Sequence, residues 1–179
     1  IPIAGDQITN DIAMALRTPT REAEDIKCRY GCALSQLADP SATMEVAGVD
    51  DRPSRKLSRR ALADVIQPRV EELYELIQHE LRRAGFEEVL SSGIVLTGGA
   101  SVMPGMVELG EEIFHMPVRL GSPKYTGSLA DVVQSPLFST SFGLLLEAQA
   151  QRKRGQKIKE KQGVKDVFDG MKSWFAKNF

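Results

Sequence analysis

The stretch from Ile94 to Gly105, IVLTGGASVMPG, constrains the fold more than any other part of the chain. Ile94, Val95, Leu96 and Thr97 suit a buried strand, a Gly-Gly pair and a small residue follow, and Pro104 stands where a helix would begin. Strand, glycine turn and helix start form a common ligand-binding junction. Without a Cβ at Gly98 or Gly99 the backbone can take positive φ and approach a base, a ribose or a phosphate closely. Any α/β fold also needs glycines where strands turn into helices, so the pattern alone leaves both readings open.

The 179 residues suffice for one solid core or two small ones, and 42% hydrophobic with 26% charged residues is ordinary for a soluble globular protein. The chain begins at Ile1 rather than Met and reads as a fragment or a processed product, with partner residues expected upstream. It holds no apolar run near the length of a transmembrane helix and no signal-peptide pattern, so the cytoplasm is the default compartment. Cys28 and Cys32 are the only cysteines, and His79 and His115 lie far from them in sequence; free thiols are expected rather than a metal site. The net charge of −1 is unevenly spread: from Arg152 onward nine Lys and Arg stand against three acids.

Before the central motif, Ile1 to Ile3 reads as the end of a strand and Gly5 as a turn. Asp6 or Thr9 is then placed to cap a helix through Leu16. Thr18-Pro19-Thr20 should stop that helix and cap a second one ending at Gly31, with Glu22 and Glu24 in its acidic first turn. Glu24 and Lys27 are three apart and share a face. They make either a surface ion pair or, if this helix overlooks the glycine turn, a donor and acceptor set for ribose hydroxyls. A strand is predicted around Thr43 to Val49, with turns at Asp39-Pro40 and Asp50-Asp51. Six basic residues lie between Arg52 and Arg69 (52, 55, 56, 59, 60 and 69), as a solvated face or a binding patch. Ser58 should cap the longest helix, which runs to about Ala84 with a kink expected at Pro68 and Gly85 at its C′ position.

After the motif, a helix is predicted over Pro104 to Met116, a strand over Val118 to Leu120, and a core helix opened by Ser135-Pro136 and carrying Phe138, Phe142, Leu145 and Leu146. Gly143 within it suggests a close packing contact. Gln149 to Gln162 is polar and basic and reads as a flexible linker. In the final stretch Val164, Val167, Phe168, Met171, Trp174, Phe175 and Phe179 fall on one helical face, opposite Lys165, Asp166, Asp169, Lys172, Ser173 and Lys177. Such a helix is expected to insert into a membrane surface, its lysines meeting anionic headgroups.

IVLTGGASVMPGM resembles the adenosine motif of the actin, heat-shock chaperone and hexokinase superfamily, and Glu24-Asp25-Ile26-Lys27 resembles the helix that offers Glu and Lys to ribose and adenine there. With the IPIAGDQITNDIA start, the RPSRKLSRRALADVIQPR segment and the amphipathic tail, nearly the whole chain resembles the C-terminal half of the FtsA family of bacterial cell-division actin homologues. The resemblance implies an α/β actin-like (ribonuclease-H-like) domain. Residues 1–17 and 91–148 would form subdomain 2A, with 18–90 inserted as subdomain 2B, 149–163 as a basic linker and 164–179 as the membrane-targeting helix.

It further implies ATP with Mg²⁺ as cofactor, bound through Gly98, Gly99, Ala100, Glu24 and Lys27, while the phosphate loops and the acidic residues that position Mg²⁺ lie upstream. FtsZ would be held by its C-terminal peptide at Arg55, Arg69 and Glu72. The membrane would be held through Val167, Phe168, Met171, Trp174, Phe175 and Phe179, at the cytoplasmic face of the inner membrane and the division site. The role implied is a polymerising scaffold that recruits other division proteins, with no catalytic residue, no metal site of its own and no nucleic acid. The alternatives are a small-molecule kinase of the same superfamily and a pilus-assembly actin homologue.

Overall fold

A computed structural model describes residues 4–48, 53–86, 89–128 and 130–154. Ile1 to Ile3, Val49 to Arg52, the greater part of the basic linker and the whole amphipathic tail lie outside the described residues.

The first compact unit reaches to Thr140. Its frame is three helices: α1 (Gly5–Leu16), α2 (Thr20–Tyr30) and the long α3 (Arg59–Arg83). α1 buries Ile8, Ile12 and Leu16 at helical spacing, and α2 buries Ala23 and Ile26. Their starts differ from expectation. Neither Asp6 nor Thr9 caps α1; Gln7 reaches back to accept from the Ala4 amide at 2.9 Å, and Gly5 is already helical. Thr20 does not cap α2 either, because Pro19 stands at the cap position and no side chain bonds the first amides.

Between α2 and α3 the chain forms an antiparallel pair, β1 (Thr43–Val46) and β2 (Arg55–Ser58), in the register Thr43 opposite Ser58 and Val46 opposite Arg55. β1 buries Met44 and Val46 and exposes Thr43 and Glu45. β2 was not expected from its polar composition, Arg-Lys-Leu-Ser; its ladder to β1 is made by backbone groups, which the side chains do not report. Ser58 then caps α3, its hydroxyl accepting from the Ala61 amide at 3.2 Å, and Gly85 follows the helix at φ 72°, both as expected. α3 continues through Pro68.

α3 is the spine of the core. Leu62, Ile66, Val70 and Tyr74 are buried against α1, and against α4 (Met106–Phe114) beyond it. Tyr74 donates its hydroxyl to the Met106 carbonyl at 2.9 Å and its ring meets Phe114 at a 5.1 Å centroid distance. Burial pushes the Tyr74 phenol above its ordinary range. One hydrophobic cluster therefore draws on α1, α2, β1, α3, α4 and β4 (Val118–Leu120) together.

β4 pairs in parallel with β3 (Ile94–Leu96), Ile94 opposite Val118 and Leu96 opposite Leu120. The helix after the glycine turn begins later than Pro104 suggested: Gly99–Val102 form a 3-10 turn, and α4 starts at Met106 behind Gly105, whose φ is 86°. A short helix, α5 (Ala130–Val133), and a 3-10 turn at Pro136–Phe138 lead into α6 (Ser139–Lys153).

From Ser141 the chain belongs to a second unit. The expectation of a core helix fails here. No residue of α6 is buried among the described residues, and Leu144, Leu145 and Leu146 are 67%, 68% and 51% exposed. Gly143 has open space where a Cβ would stand, so no close contact explains it. The helix also runs on through Gln149 to Lys153, where composition suggested a linker. Polar straight-chain residues are good helix formers and need no apolar face to extend a helix already begun.

Candidate nucleotide cavity

β3 ends at Leu96 and delivers the chain into the glycine turn. Gly98 sits at φ 94° and ψ 173°, a conformation essentially reserved for glycine, so the turn could not be built with a side chain at this position. Its amide donates to the Pro136 carbonyl at 3.1 Å, and its carbonyl accepts from the buried Ser101 hydroxyl at 2.7 Å. Thr97 donates its hydroxyl to the Gly121 carbonyl at 2.8 Å and shares a 2.6 Å hydrogen bond with Ser139. The turn is thus fastened on both sides.

Opposite it, Lys27 on α2 reaches toward the start of α1. Its side chain is only 10% exposed, and its ammonium donates to Glu24 Oε2 at 2.6 Å, to Thr9 Oγ1 at 2.8 Å and to the Gly5 carbonyl at 3.1 Å, using all three of its hydrogens. Thr9, also buried, has one proton of its own, and the Glu24 carboxylate beside it is a stronger acceptor than the Gly5 carbonyl. Burial alone would raise the Glu24 carboxyl. The hydrogen bonds from Lys27, Thr9 and Cys28, with the charge of Lys27, outweigh it and hold Glu24 below its usual range. For Cys28 burial comes first and the neighbouring Glu24 second, and both push its thiol up.

The two sides are drawn together by backbone. The Ala33 amide donates to the Pro104 carbonyl at 2.8 Å, and a Cβ on Gly105 would lie 2.7 Å from the Leu34 amide nitrogen, so only glycine permits this approach. A Cβ on Gly5 would fall 3.4 Å from Lys27 Nζ and 4.0 Å from the Ala100 methyl. These contacts enclose a cavity of about 790 Å³. Gly98, Gly99, Ala100, Glu24 and Lys27, all singled out in the sequence, line it together; Cys28, Gly31, Arg59, Met103 and Leu137 also line it and were not singled out for it. Arg59 could not be found from sequence spacing, because it reaches the cavity from the first turn of α3, far along the chain. The volume suits a nucleotide-sized ligand. Among the described residues there is no group of three His, Cys, Asp or Glu side chains placed to hold a metal ion.

The residues expected to meet a peptide lie away from this cavity, on the other half of α1. Arg55 donates to the Leu16 carbonyl at 2.6 Å. Arg69 donates through Nε to Asp11 Oδ2 at 2.5 Å, through Nη2 to Asp11 Oδ1 at 3.2 Å and through Nη1 to Glu72. The hydrogen bonds to Asp11, then its charge and that of Glu72, push the Arg69 guanidinium further above its ordinary value. Asp11 was not expected here; it falls on the polar side of α1, where an acid is unremarkable in sequence.

A family model described as cell division protein FtsA matches residues 1–143. Across the whole chain the sequence is 52% identical to the cell division protein FtsA of Pseudomonas aeruginosa, 41% identical to that of Neisseria meningitidis and 40% identical to that of Escherichia coli K12. The chain spans about half of these curated relatives, 45% of the length of each. Among solved structures, MreB 5 of Spiroplasma citri bound to AMPPNP superposes with a TM-score of 0.61 over 83% of this chain and 47% of that one, at 17% identity. The same protein bound to ADP gives 0.58 over 82% of this chain and 47% of that one, at 18% identity. The fold is actin-like.

Proposed function

The chain belongs to the FtsA family of cell-division proteins, and on that premise we propose that it forms the adenosine side of an ATP cleft in a polymerising scaffold that anchors the FtsZ ring to the inner membrane. The observation that carries the nucleotide assignment is the single cavity in which the Gly98–Ala100 turn faces the Glu24–Lys27 pair. In this reading Glu24 accepts from the ribose hydroxyls, Lys27 donates to them by turning one of its three hydrogens from a protein acceptor to the ligand, and the bare backbone at Gly98 and Gly99 lets the nucleoside lie close. Bound ATP supplies the charged phosphates and carries Mg²⁺, and sequence outside the matched stretch of the relatives supplies the phosphate side of the cleft. This chain's residues bind and orient; none is assigned a bond-breaking step. The MreB relative whose structure holds AMPPNP has the same fold, which supports the reading.

The attachment half of the proposal rests on the face made by Val167, Phe168, Met171, Trp174, Phe175 and Phe179 and on the basic stretch before it. Each aromatic inserted into a bilayer surface removes a large apolar area from water, and basic residues near anionic headgroups add about 1 kcal/mol each. Arg55, Arg69 and Glu72 are the proposed contacts for the FtsZ C-terminal peptide. The match to the FtsA family model argues against both a small-molecule kinase and a pilus-assembly protein.

The test combines calorimetric titration of ATP with vesicle flotation, both on full-length protein. Gly98→Val should lower ATP affinity at least about tenfold, because the turn must leave the glycine-only region and strain of about 1–3 kcal/mol is introduced. Trp174→Glu should abolish flotation with anionic vesicles and leave ATP affinity unchanged. Equal ATP affinity in the Gly98 variant, or flotation that survives Trp174→Glu, removes the corresponding half of the assignment.

A further inference from the structure

Arg29 and Arg59 both line the cavity, and among the described residues Arg59 is the one of the two whose guanidinium is held by hydrogen bonds. It opens α3, and its Nε donates to the Tyr30 carbonyl at 3.0 Å while Nη2 lies 3.4 Å from the Gly31 carbonyl. These are the carbonyls at the end of α2, where a cation is favoured by the helix dipole. Arg59 makes no ion pair with a carboxylate among the described residues, although it lies close enough to Asp39 to help lower that carboxyl behind the larger effect of Ser41. A guanidinium has five N–H bonds. With Nε and one Nη2 hydrogen engaged, Nη1 makes no hydrogen bond among the described residues, and the residue lines the cavity.

The cavity has two chemically different ends. At one, Gly5, Lys27 and Ala100 converge on the N-terminus of the 12-residue α1, where free amides and the positive end of the helix favour anionic oxygens. At the other stand Gly31, Met103 and Arg59. A Cβ on Gly31 would lie 2.4 Å from the Lys27 carbonyl oxygen and 3.3 Å from Met103 Cε, so the wall is pared to backbone beside a soft thioether. A flat apolar ring fits this end, between a polarizable methionine and a planar cation.

We propose that Arg59 is the base-gripping residue of this cavity, its fixed guanidinium lying against the face of a purine while Met103 covers the edge. The inference rests on the nucleotide reading above and adds to it the part of the ligand that Arg59 meets. Contact through the ring face is indifferent to the exocyclic groups, so adenine and guanine nucleotides depend on Arg59 alike, and a triphosphate without a base does not depend on it.

The experiment is calorimetric titration of full-length protein with MgATP, MgGTP and magnesium tripolyphosphate, for wild type, Arg59→Ala and Arg59→Lys. Arg59→Ala should weaken MgATP about tenfold and MgGTP by a similar factor, and leave tripolyphosphate within about twofold. Arg59→Lys can still bond the Tyr30 and Gly31 carbonyls and so preserve the end of α2, but it lacks the plane and should recover less than half of the loss in logarithmic terms. A parallel loss for all three ligands, or full rescue by lysine, would show that Arg59 acts only by holding α2 and would overturn the proposal. Unchanged MgATP affinity in Arg59→Ala overturns it while leaving the nucleotide reading intact. Wild-type protein that binds none of the three ligands overturns both.

Discussion

α1 has a charged cluster on each half, and the two are built on opposite principles. At its start Lys27 is nearly dry and spends every hydrogen on three acceptors, two of them belonging to α1 itself. Further along, Arg69 is 28% exposed and bonds Asp11 and Glu72, both of which also face water. A buried cation whose partners are fully engaged is expensive to remove, since its acceptors lose their donor inside the protein. A half-solvated one costs little, since water replaces it. The first arrangement fixes geometry. The second leaves charge that can be re-paired when an anionic partner arrives.

The largest effect should come from breaking the dry end. Lys27→Met keeps the length and apolar stem of the side chain and removes the ammonium, leaving the Gly5 carbonyl and Thr9 without their donor. We expect a stability loss of about 2–3 kcal/mol in urea unfolding, and ATP binding reduced beyond calorimetric detection. A variant with wild-type stability would mean that the start of α1 does not depend on this bond network, and the contrast between the halves would disappear.

The exposed half should respond the other way round. Arg69→Ala should change stability by no more than about 1 kcal/mol, yet weaken binding of the FtsZ C-terminal peptide at least about tenfold in fluorescence anisotropy, with a smaller loss at higher salt. Unaltered peptide affinity would leave Arg69 as a brace between α1 and α3 and nothing more.

This contrast was only partly visible in the sequence. The i, i+3 spacing put Glu24 and Lys27 on one face, and the strand-glycine pattern placed Gly98 at a turn, because both are local rules. That the two meet across one cavity depends on the Ala33–Pro104 hydrogen bond and on the closeness of Gly105 to Leu34, contacts between segments some 70 residues apart that no local pattern encodes. The resemblance to the actin superfamily supplied that pairing where periodicity could not. α3 was legible from end to end, since Ser58, its apolar stripe and Gly85 all act within a few residues. β2 was not, because a strand stabilised through its backbone can carry any polar side chain. The engagement of Arg69 with Asp11 was equally hidden, and it changes what the basic cluster means: this arginine arrives at any partner already holding two carboxylates.

A smaller and sharper test uses two threonines, one within α1 and one just beyond its end, each 4% exposed. Thr9 links Lys27 to Glu24, whereas the Thr18 hydroxyl has no hydrogen-bond partner among the described residues. Replacing a hydroxyl by an isosteric methyl costs stability where the hydroxyl is bonded and is neutral or favourable where it is not. Thr9→Val should therefore lose about 1 kcal/mol, and Thr18→Val should fall between no change and a gain of about 0.5 kcal/mol. The pH dependence separates them further. Glu24 is held below its ordinary value when folded, so its contribution is present in full above the usual glutamate range and is lost as pH falls through the lowered value. Thr9→Val removes one of the hydrogen bonds that lower it, bringing the folded value toward the unfolded one and flattening the acid limb of the stability profile. Thr18→Val leaves that limb unchanged. Equal behaviour of the two variants across the acid range would mean that the Thr9 hydroxyl takes no part in holding Glu24, and would reduce the dry end of α1 to the Lys27–Glu24 pair alone.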